Sequence, residues 1–538
     1  MQPATPPNQT IHHERQQSSF PVQDMTYYLD GGKQNTVLNA KIMLQFERDP
    51  IMVTADQHDM ALAQIRERTM QKVRRMAYYL ANEPVAHFRA RMRILTLFDA
   101  ASWTRFGVHI GLFFNTLQGQ STPEQFSYWI SKGAITMNGM AGCFAMTELG
   151  HGSNVAALET TATFDEAAEE FIIHTPTITA TKWWIGGAAQ TATHAAVYAN
   201  LIVKGKRYGV KPFVVQLRYP ETFELLPGVV IGDIGAKMGR HGIDNGWIQF
   251  THVRIPRSHM LMKHAQVKAD GTVIQPPMQQ LAYGALINGR VTMIADSANI
   301  SKKALVIAVR YAVVRRQFGG KPGEPETRLI DYVIHQHRLM PMLARAYAMH
   351  FTGIEVLRMY DELMSRMETL KAGDKDMADV LDSLKELHGT SAGLKAFCTW
   401  NALDTIDQSR QALGGHGYSA YAGLASLYSD FAVQCTWEGD NTILTLQAGR
   451  YLIGCYRDAK AGNKQASGVA YLNNLDTLLK EKCQCSKPEE LFSLSVIASA
   501  FSVVSAHVVK KAGDDYAGFL KAGLHEDQAY EECCNSFF

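Results

Sequence analysis

Residues 194–217 read "HAAVYANLIVKGKRYGVKPFVVQL", and this stretch decides the fold class of the chain. Two runs of strand-forming residues, 194–203 and 211–217, flank a short segment that contains glycine. Similar runs recur between residues 141 and 275, separated by Gly, Pro and Asp turns. They include "LETTATF", "EFIIHT", "TITATKWW" and "GWIQFTHVRIP". We therefore predict a central antiparallel β-barrel or sandwich over residues 141–278.

Helical patterns flank this β region on both sides. Residues 25–140 repeat apolar positions every three or four residues, with cations between them. After residue 281 the pattern returns, and one helix face carries apolar residues at 287, 291, 294, 298, 305, 309 and 312. We therefore predict an α+β protein with an N-terminal helical domain (25–140), the β domain, a helical bundle (279–465) and a second C-terminal helical domain (466–538).

The composition of the chain excludes several classes of protein. Of 538 residues, 46% are hydrophobic and 19% are charged, which is typical of a soluble globular protein. The formal net charge of +2 creates no large field, so we predict no nucleic-acid partner. The eight cysteines include no CxxC pair and no zinc-ligand spacing, which predicts free thiols in a reducing compartment and no metal site.

The two ends of the chain carry no obvious targeting segment. Residues 1–24 are rich in Pro, Gln and Ser without an apolar core, which predicts a disordered tail and no secretory signal. The longest apolar segment, residues 491–509, contains five serines and a histidine, which favours a buried bundle helix over a membrane span. The terminal "NSFF" differs from an SKL-type peroxisomal address.

Two motifs of the β region suggest contact with a flat ligand. "CFAMTELGHGSN" (143–154) places Thr147 before a glycine-containing loop, which offers a hydroxyl and backbone N–H groups, or is simply a capped turn. "TKWWIGG" (181–187) places Trp183 and Trp184 before Gly186. These residues form either an aromatic wall that a planar ring approaches, or one core and one rim tryptophan.

Three motifs of the helical region carry charge or glycine. "VRRQFGG" (314–320) ends a predicted helix with arginines, which either complement the helix dipole or clamp a phosphate. "RQALGGHGY" (410–418) is a second glycine-rich turn, and no strand precedes it as a Rossmann motif requires. "TWEGDN" (436–441) holds Glu438 between Trp437 and Gly439. An isolated glutamate is usually solvated, but one in an apolar setting becomes a stronger base.

Taken in order, "TELGHG", "KWWIGG", "RRQFG", "GGHGY" and "WEG" resemble the acyl-CoA dehydrogenase/oxidase superfamily. The resemblance covers roughly residues 25–535 and is closer to the peroxisomal acyl-CoA oxidases. Dehydrogenases typically have "TEPGAGS" and "WITN" at the first two places, whereas this chain has "TELGHGS" and "WWIGG". The stretches "DIGAKMGRHGIDNG", "RIPRSHMLMKHAQV" and "ELHGTSAGLKAFCTW" are also similar to those of the oxidases.

The resemblance implies a role for each motif. Glu438 would be the catalytic base that removes the α-proton of a fatty acyl thioester, while Gly439 lets the thioester approach. FAD would accept the hydride, with Thr147, Gly186 and Trp183 or Trp184 around it. A neighbouring subunit would complete the FAD site, so a homodimer is implied. The residues that it would contribute are Arg315, Gln317, Gln411 and Gly415. Arg290 in "INGRVTM" matches a position on the CoA side of the substrate.

The implied reaction converts acyl-CoA and O₂ into trans-2-enoyl-CoA and H₂O₂, in peroxisomes. Two alternatives remain open: an acyl-CoA dehydrogenase that passes electrons to a flavoprotein, and a non-catalytic protein that assembles with full-length oxidases. Family members usually continue past the end of this chain through a second C-terminal helical domain. The resemblance therefore predicts that this domain, which begins near residue 466, is truncated, and that it is open to protease. Residue chemistry leaves the preferred acyl chain length undetermined.

Overall fold

The computed structural model describes residues 6–275, 284–319, 322–369, 376–465 and 467–537. The chain divides into two compact units. The first unit comprises residues 1–286, 299–346 and 402–433, and the second comprises residues 287–298, 347–401 and 434–538. Both units are therefore discontinuous along the chain. The four consecutive domains inferred from the sequence remain a prediction.

The N-terminal part of the first unit is helical, as predicted. Its helices are α1 (Pro7–Gln16), α2 (Val22–Leu29), α3 (Lys33–Arg48), α4 (Leu62–Asn82), α5 (Val85–Phe98), α6 (Ala100–Gly107), α7 (Asn115–Gln120) and α8 (Pro123–Ser131), with a π-helix (Val108–Phe114) between α6 and α7. Asp99 caps α6 by accepting the backbone N–H of Ser102 at 2.9 Å, and it pairs with the buried Lys72 of α4 at 2.6 Å. Phe46, Phe88 and Phe106 pack in the core between these helices.

The prediction of a disordered tail over residues 1–24 is wrong for most of that segment. Helix α1 begins at Pro7, where the missing N–H of proline costs nothing, and α2 begins at Val22. Glu14 of α1 forms an ion pair with Arg328, which is more than 300 residues away in the chain. The polar composition gave no sign of this contact, because it depends on a distant partner.

The central strands form three sheets in the part of the chain that the structure describes. The strands are β1 (Gly142–Ala145), β2 (Thr161–Asp165), β3 (Glu170–His174), β4 (Lys182–Gly186), β5 (His194–Val203), β6 (Lys206–Gln216), β7 (Val229–Asp233), β8 (Asn245–Phe250), β9 (Val253–Pro256), β10 (Gln266–Val267) and β11 (Val273–Ile274). The six-stranded sheet has the order β1-β5-β2-β3-β9, with β6 also paired to β5. The three-stranded sheet has the order β4-β8-β7, and β10 pairs with β11.

Strand β5 corrects the prediction of a purely antiparallel barrel. It pairs with β6 in the antiparallel sense but with β1 and β2 in the parallel sense, so the sheet is mixed. The sheet does not close, because its end strands β1 and β9 do not pair with each other among the described residues. The hairpin from β5 to β6 turns on Lys204 and Gly205, which both have positive φ, as a two-residue type I′ turn requires. Local sequence encodes this hairpin. The parallel pairs join segments that are distant in the chain, and a period of two does not reveal them.

The second half of the chain is helical, which confirms the α+β fold class. Its helices are α9 (Gly284–Val314), α10 (Val333–Thr369), α11 (Met377–Ala412), α12 (Leu424–Ala432), α13 (Asn441–Lys460), α14 (Leu475–Leu478), α15 (Leu494–Lys521) and α16 (Glu526–Phe537). In the first unit, Leu305, Leu339 and Ile406 belong to one apolar core. In the second unit, Ile287 and Leu387 belong to another. Helices α9, α10 and α11 each contribute residues to both units.

Helix α15 differs from its prediction as a buried bundle helix. It is the one helix in the described residues that is long and apolar enough to cross a membrane, and only 11% of its most apolar window is buried. The exposed apolar side chains are Leu494, Ile497, Phe501, Val504 and Val508. Length and composition alone do not place a helix in a membrane, so the absence of a span stays a prediction.

Candidate active site

The loop before helix α13 carries Glu438 in a strained backbone conformation. Glu438 has a φ of 54°, and Gly439 has a φ of 104°. A left-handed conformation costs a residue with a side chain roughly 1–3 kcal/mol, and such strain concentrates at functional sites. A β-carbon on residue 439 would lie 2.7 Å from the side chain of Leu444, so this position also requires glycine for packing.

Hydrogen bonds within the second unit hold this loop at its beginning and its end. The buried Gln434 donates to Asp296 of α9 at 3.0 Å and accepts from the indole N–H of Trp437 at 3.2 Å. Asp440 caps α13 by accepting the N–H of Thr442 at 2.9 Å. The backbone of the loop is thus fixed on both sides of Glu438.

The carboxyl group of Glu438 lies against Gly289 of helix α9. A β-carbon on Gly289 would be 2.7 Å from Oε2 and 2.9 Å from Cδ of Glu438. Burial raises the pKa of Glu438 above its usual range, and the cations of Arg290 and Lys395 partly oppose the rise. The carboxylate therefore has the increased basicity that its sequence context predicts.

Arg290 follows Gly289 and lies beside the same loop. Its Nε donates to the backbone carbonyl of Glu438 at 3.4 Å. Its Nη1 is buried and has no hydrogen-bond partner among the described residues. A buried guanidinium N–H without a partner is costly, and an anionic or carbonyl group of a ligand would satisfy it. The structure thus brings Glu438, Gly439 and Arg290 together, while the roles that the sequence suggested for them stay predictions.

Sequence reasoning missed Lys395 of helix α11, which contacts the same loop. Its Nζ donates to the carbonyl of Gly439 at 2.7 Å and to Oδ1 of Asn441 at 2.9 Å. The side chain of Lys395 is among the most buried of the chain. The available signal was a lysine within "GTSAGLKAFCTW", where small and apolar residues surround it.

The predicted flavin wall lies in the first unit, where two of its motifs join. The backbone N–H of Trp183 donates to the carbonyl of Thr147 at 3.0 Å. The Thr147 hydroxyl makes no hydrogen bond within the described part of the chain. Trp184 has a φ of 66°, and 58% of its surface is exposed. A large aromatic residue in this strained region is an outlier that suggests a binding surface.

Gly186 ends strand β4 and is closely packed from within the protein. A β-carbon there would lie 2.8 Å from Ile243 and 3.2 Å from Val108 of the π-helix. Internal packing alone is therefore a reason for glycine at this position, because the ends of the Ile243 and Val108 side chains would have to shift for a larger residue. The ligand-approach role that we predicted for Gly186 stays a prediction.

A buried ion pair supports the two motifs of the flavin wall. Lys182 donates to Glu148 at 3.1 Å, and both side chains are fully buried. Glu148 also accepts the backbone N–H groups of Glu159 and Thr160. Burial alone would raise the pKa of Glu148, but Lys182 and these donors outweigh it and lower the pKa. Burial lowers the pKa of Lys182 to about 8.

The predicted second-subunit residues, here called the glycine-rich cluster, also belong to the first unit. Gln317 has its backbone fixed by Thr327 and by the Tyr332 hydroxyl, which donates to its carbonyl at 2.8 Å. Gln411, near the end of α11, donates to Asp407 at 2.7 Å. Arg315 is exposed, and its guanidinium makes no hydrogen bond to any residue that the structure describes.

Glycine sets the shape of the turn that follows α11. Gly414 has a φ of 59°, and Gly415 has open space where a β-carbon would lie. Rings of Tyr311 and His416 pack edge to face at 6.1 Å, which joins the turn to helix α9. No hydrogen bond among the described residues joins this cluster to Thr147, Trp183 or Trp184.

Comparison with known families gives one consistent result. Residues 21–134 match the model of the acyl-coenzyme A oxidase N-terminal domain, and residues 143–253 match the acyl-CoA dehydrogenase middle domain. Residues 283–453 match the acyl-CoA oxidase C-alpha1 domain. The chain is 50% identical over 528 residues to acyl-coenzyme A oxidase 2 of Yarrowia lipolytica, covering 98% of this chain and 75% of that relative. The chain belongs to the acyl-CoA oxidase family.

Solved acyl-CoA oxidase structures have the same fold. Acyl-CoA oxidase 3 from Yarrowia lipolytica superposes with a TM-score of 0.92 at 47% identity, over 98% of this chain and 76% of that one. Acyl-CoA oxidase-2 of Caenorhabditis elegans was solved bound with FAD, ascaroside-CoA and ATP. It matches with a TM-score of 0.87 at 31% identity, over 99% of this chain and 78% of that one. Membership makes the protein an oxidoreductase of a flavin-dependent family that acts on acyl-CoA.

Proposed function

We propose that this acyl-CoA oxidase uses Glu438 as its catalytic base and FAD as its redox cofactor. The observation that carries the proposal is the position of the Glu438 carboxyl group. It lies against Gly289, its pKa is raised by burial, and Arg290 contacts the same loop. A raised carboxylate pKa suits a base that must remove a proton from a weak carbon acid.

The residues of this chain have separate tasks in the reaction. Glu438 removes the α-proton of the thioester as the double bond forms between the α- and β-carbons. Negative charge develops on the thioester oxygen, and the backbone N–H of Glu438 donates to no other group in the described part of the chain. That N–H is therefore available as a donor to the oxygen. Gly439 leaves room for the thioester, and Arg290 supplies positive charge on the substrate side.

The residues of the first unit fit a flavin by their chemistry. The exposed indole of Trp184 offers a surface for a flat ring, and the Thr147 hydroxyl is free to bond a polar edge. The exposed guanidinium of Arg315 suits a phosphate. When bound, FAD accepts the hydride that leaves the β-carbon and passes the electrons to O₂, which yields H₂O₂.

We assign Thr147, Trp183, Trp184 and Gly186 to one subunit of this site, and the glycine-rich cluster to a second subunit of a homodimer. Arg315, Gln317, Gln411 and Gly415 form that cluster. The segments that carry these residues, 314–334 and 410–421, also expose aromatic and aliphatic side chains, which are typical of an interface. They are Phe318, Ile334, Tyr418 and Tyr421.

The substrate in this proposal is a fatty acyl-CoA, and the products are trans-2-enoyl-CoA and H₂O₂. Acyl-CoA oxidases of this kind are typically peroxisomal, and we propose that location for this chain. The alternative acceptor is a flavoprotein, as in acyl-CoA dehydrogenases. A peroxide assay separates the two acceptors, because an oxidase releases one H₂O₂ for each enoyl-CoA that it forms in air.

The Glu438→Gln variant tests the base assignment. Glutamine has nearly the shape of glutamate but cannot accept the proton. The purified variant should bind FAD normally, while its flavin is reduced by acyl-CoA at least about 10²-fold more slowly without oxygen. The measurement is anaerobic stopped-flow absorbance of the flavin. Reduction at the wild-type rate would remove Glu438 from the mechanism.

A further inference from the structure

Lys395 is a buried cation directed at the loop that carries Glu438. It lies on helix α11 within the second unit, and its side chain is inaccessible to solvent. Its ammonium group donates to the Gly439 carbonyl at 2.7 Å and to Oδ1 of Asn441 at 2.9 Å. Those two acceptors lie one and three residues after Glu438.

Asn441 links the same helix to the loop a second time. Its side-chain amide donates to Oγ1 of Thr399 at 2.9 Å and to the carbonyl of Ala396 at 3.4 Å. Lys395 and Thr399 occupy one face of α11, because they are four residues apart, and Ala396 contributes its backbone carbonyl from the same turn. This face therefore fixes the exit of the loop, while Asp296 of α9 fixes its entrance through Gln434.

Burying a lysine at this position is energetically unfavourable. A buried ammonium loses its hydration, and a neutral side chain would fill the space at a lower cost. Burial lowers the pKa of Lys395 to about 8, while Cys435, Glu438 and Asp440 raise it and Arg290 lowers it. Neutral backbone and amide oxygens are its hydrogen-bond acceptors, so it is not a simple ion pair. Helix stability alone gives no reason for a charge here.

The charge also affects the carboxyl group directly. Lys395 and Arg290 are the two cations that oppose the burial-induced rise in the pKa of Glu438. Without them, the carboxyl group would stay protonated at a higher pH and would be inactive as a base. The strained backbone of Glu438 adds a second requirement, because a left-handed residue persists only where its surroundings hold it.

We propose that Lys395 is a positioning residue for the reaction: it clamps the loop that carries Glu438 in its strained conformation and places a fixed positive charge beside the carboxylate. The proposal rests on the proposed role of Glu438 as the base. Lys395 itself touches no reacting atom in this scheme. It acts through the geometry and the protonation state of Glu438.

Two substitutions separate the hydrogen bonds from the charge. Lys395→Met keeps the length of the side chain but removes both, whereas Lys395→Gln retains a donor without the charge. The matched control is Lys385→Met, because Lys385 lies on the same helix with 71% of its side chain exposed. Each variant is purified as the FAD-loaded protein. The rate of anaerobic flavin reduction is then measured against acyl-CoA concentration and pH.

The Lys395→Met variant should bind FAD and reduce it up to about 100-fold more slowly at saturating acyl-CoA, because small displacements of a reacting group are costly. The pH at which the rate is half-maximal on the acid side should move upward. Lys395→Gln should show the same pH shift with a smaller loss of rate. Lys385→Met should behave as the wild type in both measurements.

Several results would overturn the proposal. The proposal is wrong if either Lys395 variant reduces the flavin at the wild-type rate and with the wild-type pH dependence on the acid side. A slower rate with an unchanged acid limb in both variants would show that Lys395 is only part of the packing. If neither variant folds with FAD, Lys395 is a residue of the fold and the proposal is wrong. Failure of the base assignment is distinct, because it would appear as normal flavin reduction in Glu438→Gln.

Discussion

The carboxyl group of Glu438 occupies the space that a side chain on residue 289 would fill, since a β-carbon on Gly289 would lie 2.7 Å from Oε2. Gly289 lies inside helix α9, where glycine is less favourable than alanine by about 1 kcal/mol. Gly289 therefore lowers the stability of the helix at the position where the carboxyl group of Glu438 needs space. This relationship explains the glycine of "INGRVTM" and gives the first test.

Gly289→Ala should leave the fold and the FAD content unchanged while it slows flavin reduction by acyl-CoA. Alanine favours the helix, but its methyl group would displace the carboxylate, and misplacement by about 1 Å can cost 100-fold in rate. Thermal unfolding and anaerobic stopped-flow measurements check the two halves of this prediction. Gly454→Ala on α13 is the control, because a β-carbon there meets nothing within 4 Å. A wild-type rate in Gly289→Ala would mean that the carboxylate does not need this space.

The pH dependence of flavin reduction should report the raised pKa of Glu438. The base acts in its charged form, so the rate should rise with pH as Glu438 loses its proton. Because burial raises that pKa, the acid limb should lie above the value near 4.3 of an ordinary glutamate. The measurement is the anaerobic reduction rate at saturating acyl-CoA across the acid range. An acid limb at or below 4.3 would contradict the buried environment described for Glu438.

Arg315→Ala should lower FAD retention and weaken the dimer together. The exposed guanidinium has no described partner within the chain, and we propose that it binds a flavin phosphate across the subunit interface. Gel filtration with absorbance at the flavin and protein bands measures both effects. Arg310→Ala, about one and a half helical turns earlier on α9, is the control and should change neither. A stable dimer of Arg315→Ala with full FAD content would exclude this role.

Lys182→Met should destabilise the first unit and release FAD. The substitution leaves Glu148 as a buried charge without its cation, and breaking such a pair costs about 3–5 kcal/mol. Thermal unfolding should therefore begin at a clearly lower temperature. The control is Lys204→Met, whose ion pair with Glu166 is exposed and worth at most about 1 kcal/mol. Equal losses in both variants would mean that the buried pair has no special importance.

Periodicity predicted much of the fold, because it is a local property of the chain. The strand runs around β5 and the helical face of α9 follow from repeats of two and of three to four residues. The parallel pairing of β5 with β1 and β2 did not follow, because it joins distant segments. The exposed face of α15 did not follow either, since an apolar helix shows only that it can pack against something.

The residues of the candidate site were likewise only partly predictable from the sequence. Glu438, Thr147 and Arg315 stand in motifs with unusual local composition, and the resemblance to a family gave each of them a role. Gly289 and Lys395 lie against the loop that carries Glu438, but they are far from that loop in the chain. Their importance depends on which helices pack together, and no local pattern reports that.

Because the second unit is discontinuous along the chain, the ribosome synthesises the residues around Glu438 in separate stages. Gly289 and Arg290 leave the ribosome about 150 residues before Glu438 does. At roughly 5–20 residues per second, that interval is roughly 7–30 s. Throughout this time the guanidinium of Arg290 has no Glu438 loop to contact, although residues 347–401 of the same unit are synthesised within the interval and residues 434–538 follow. A nascent chain stalled soon after Arg290 would expose apolar residues of this helix, such as Ile287 and Ile294, that residues 347–401 cover only after later synthesis.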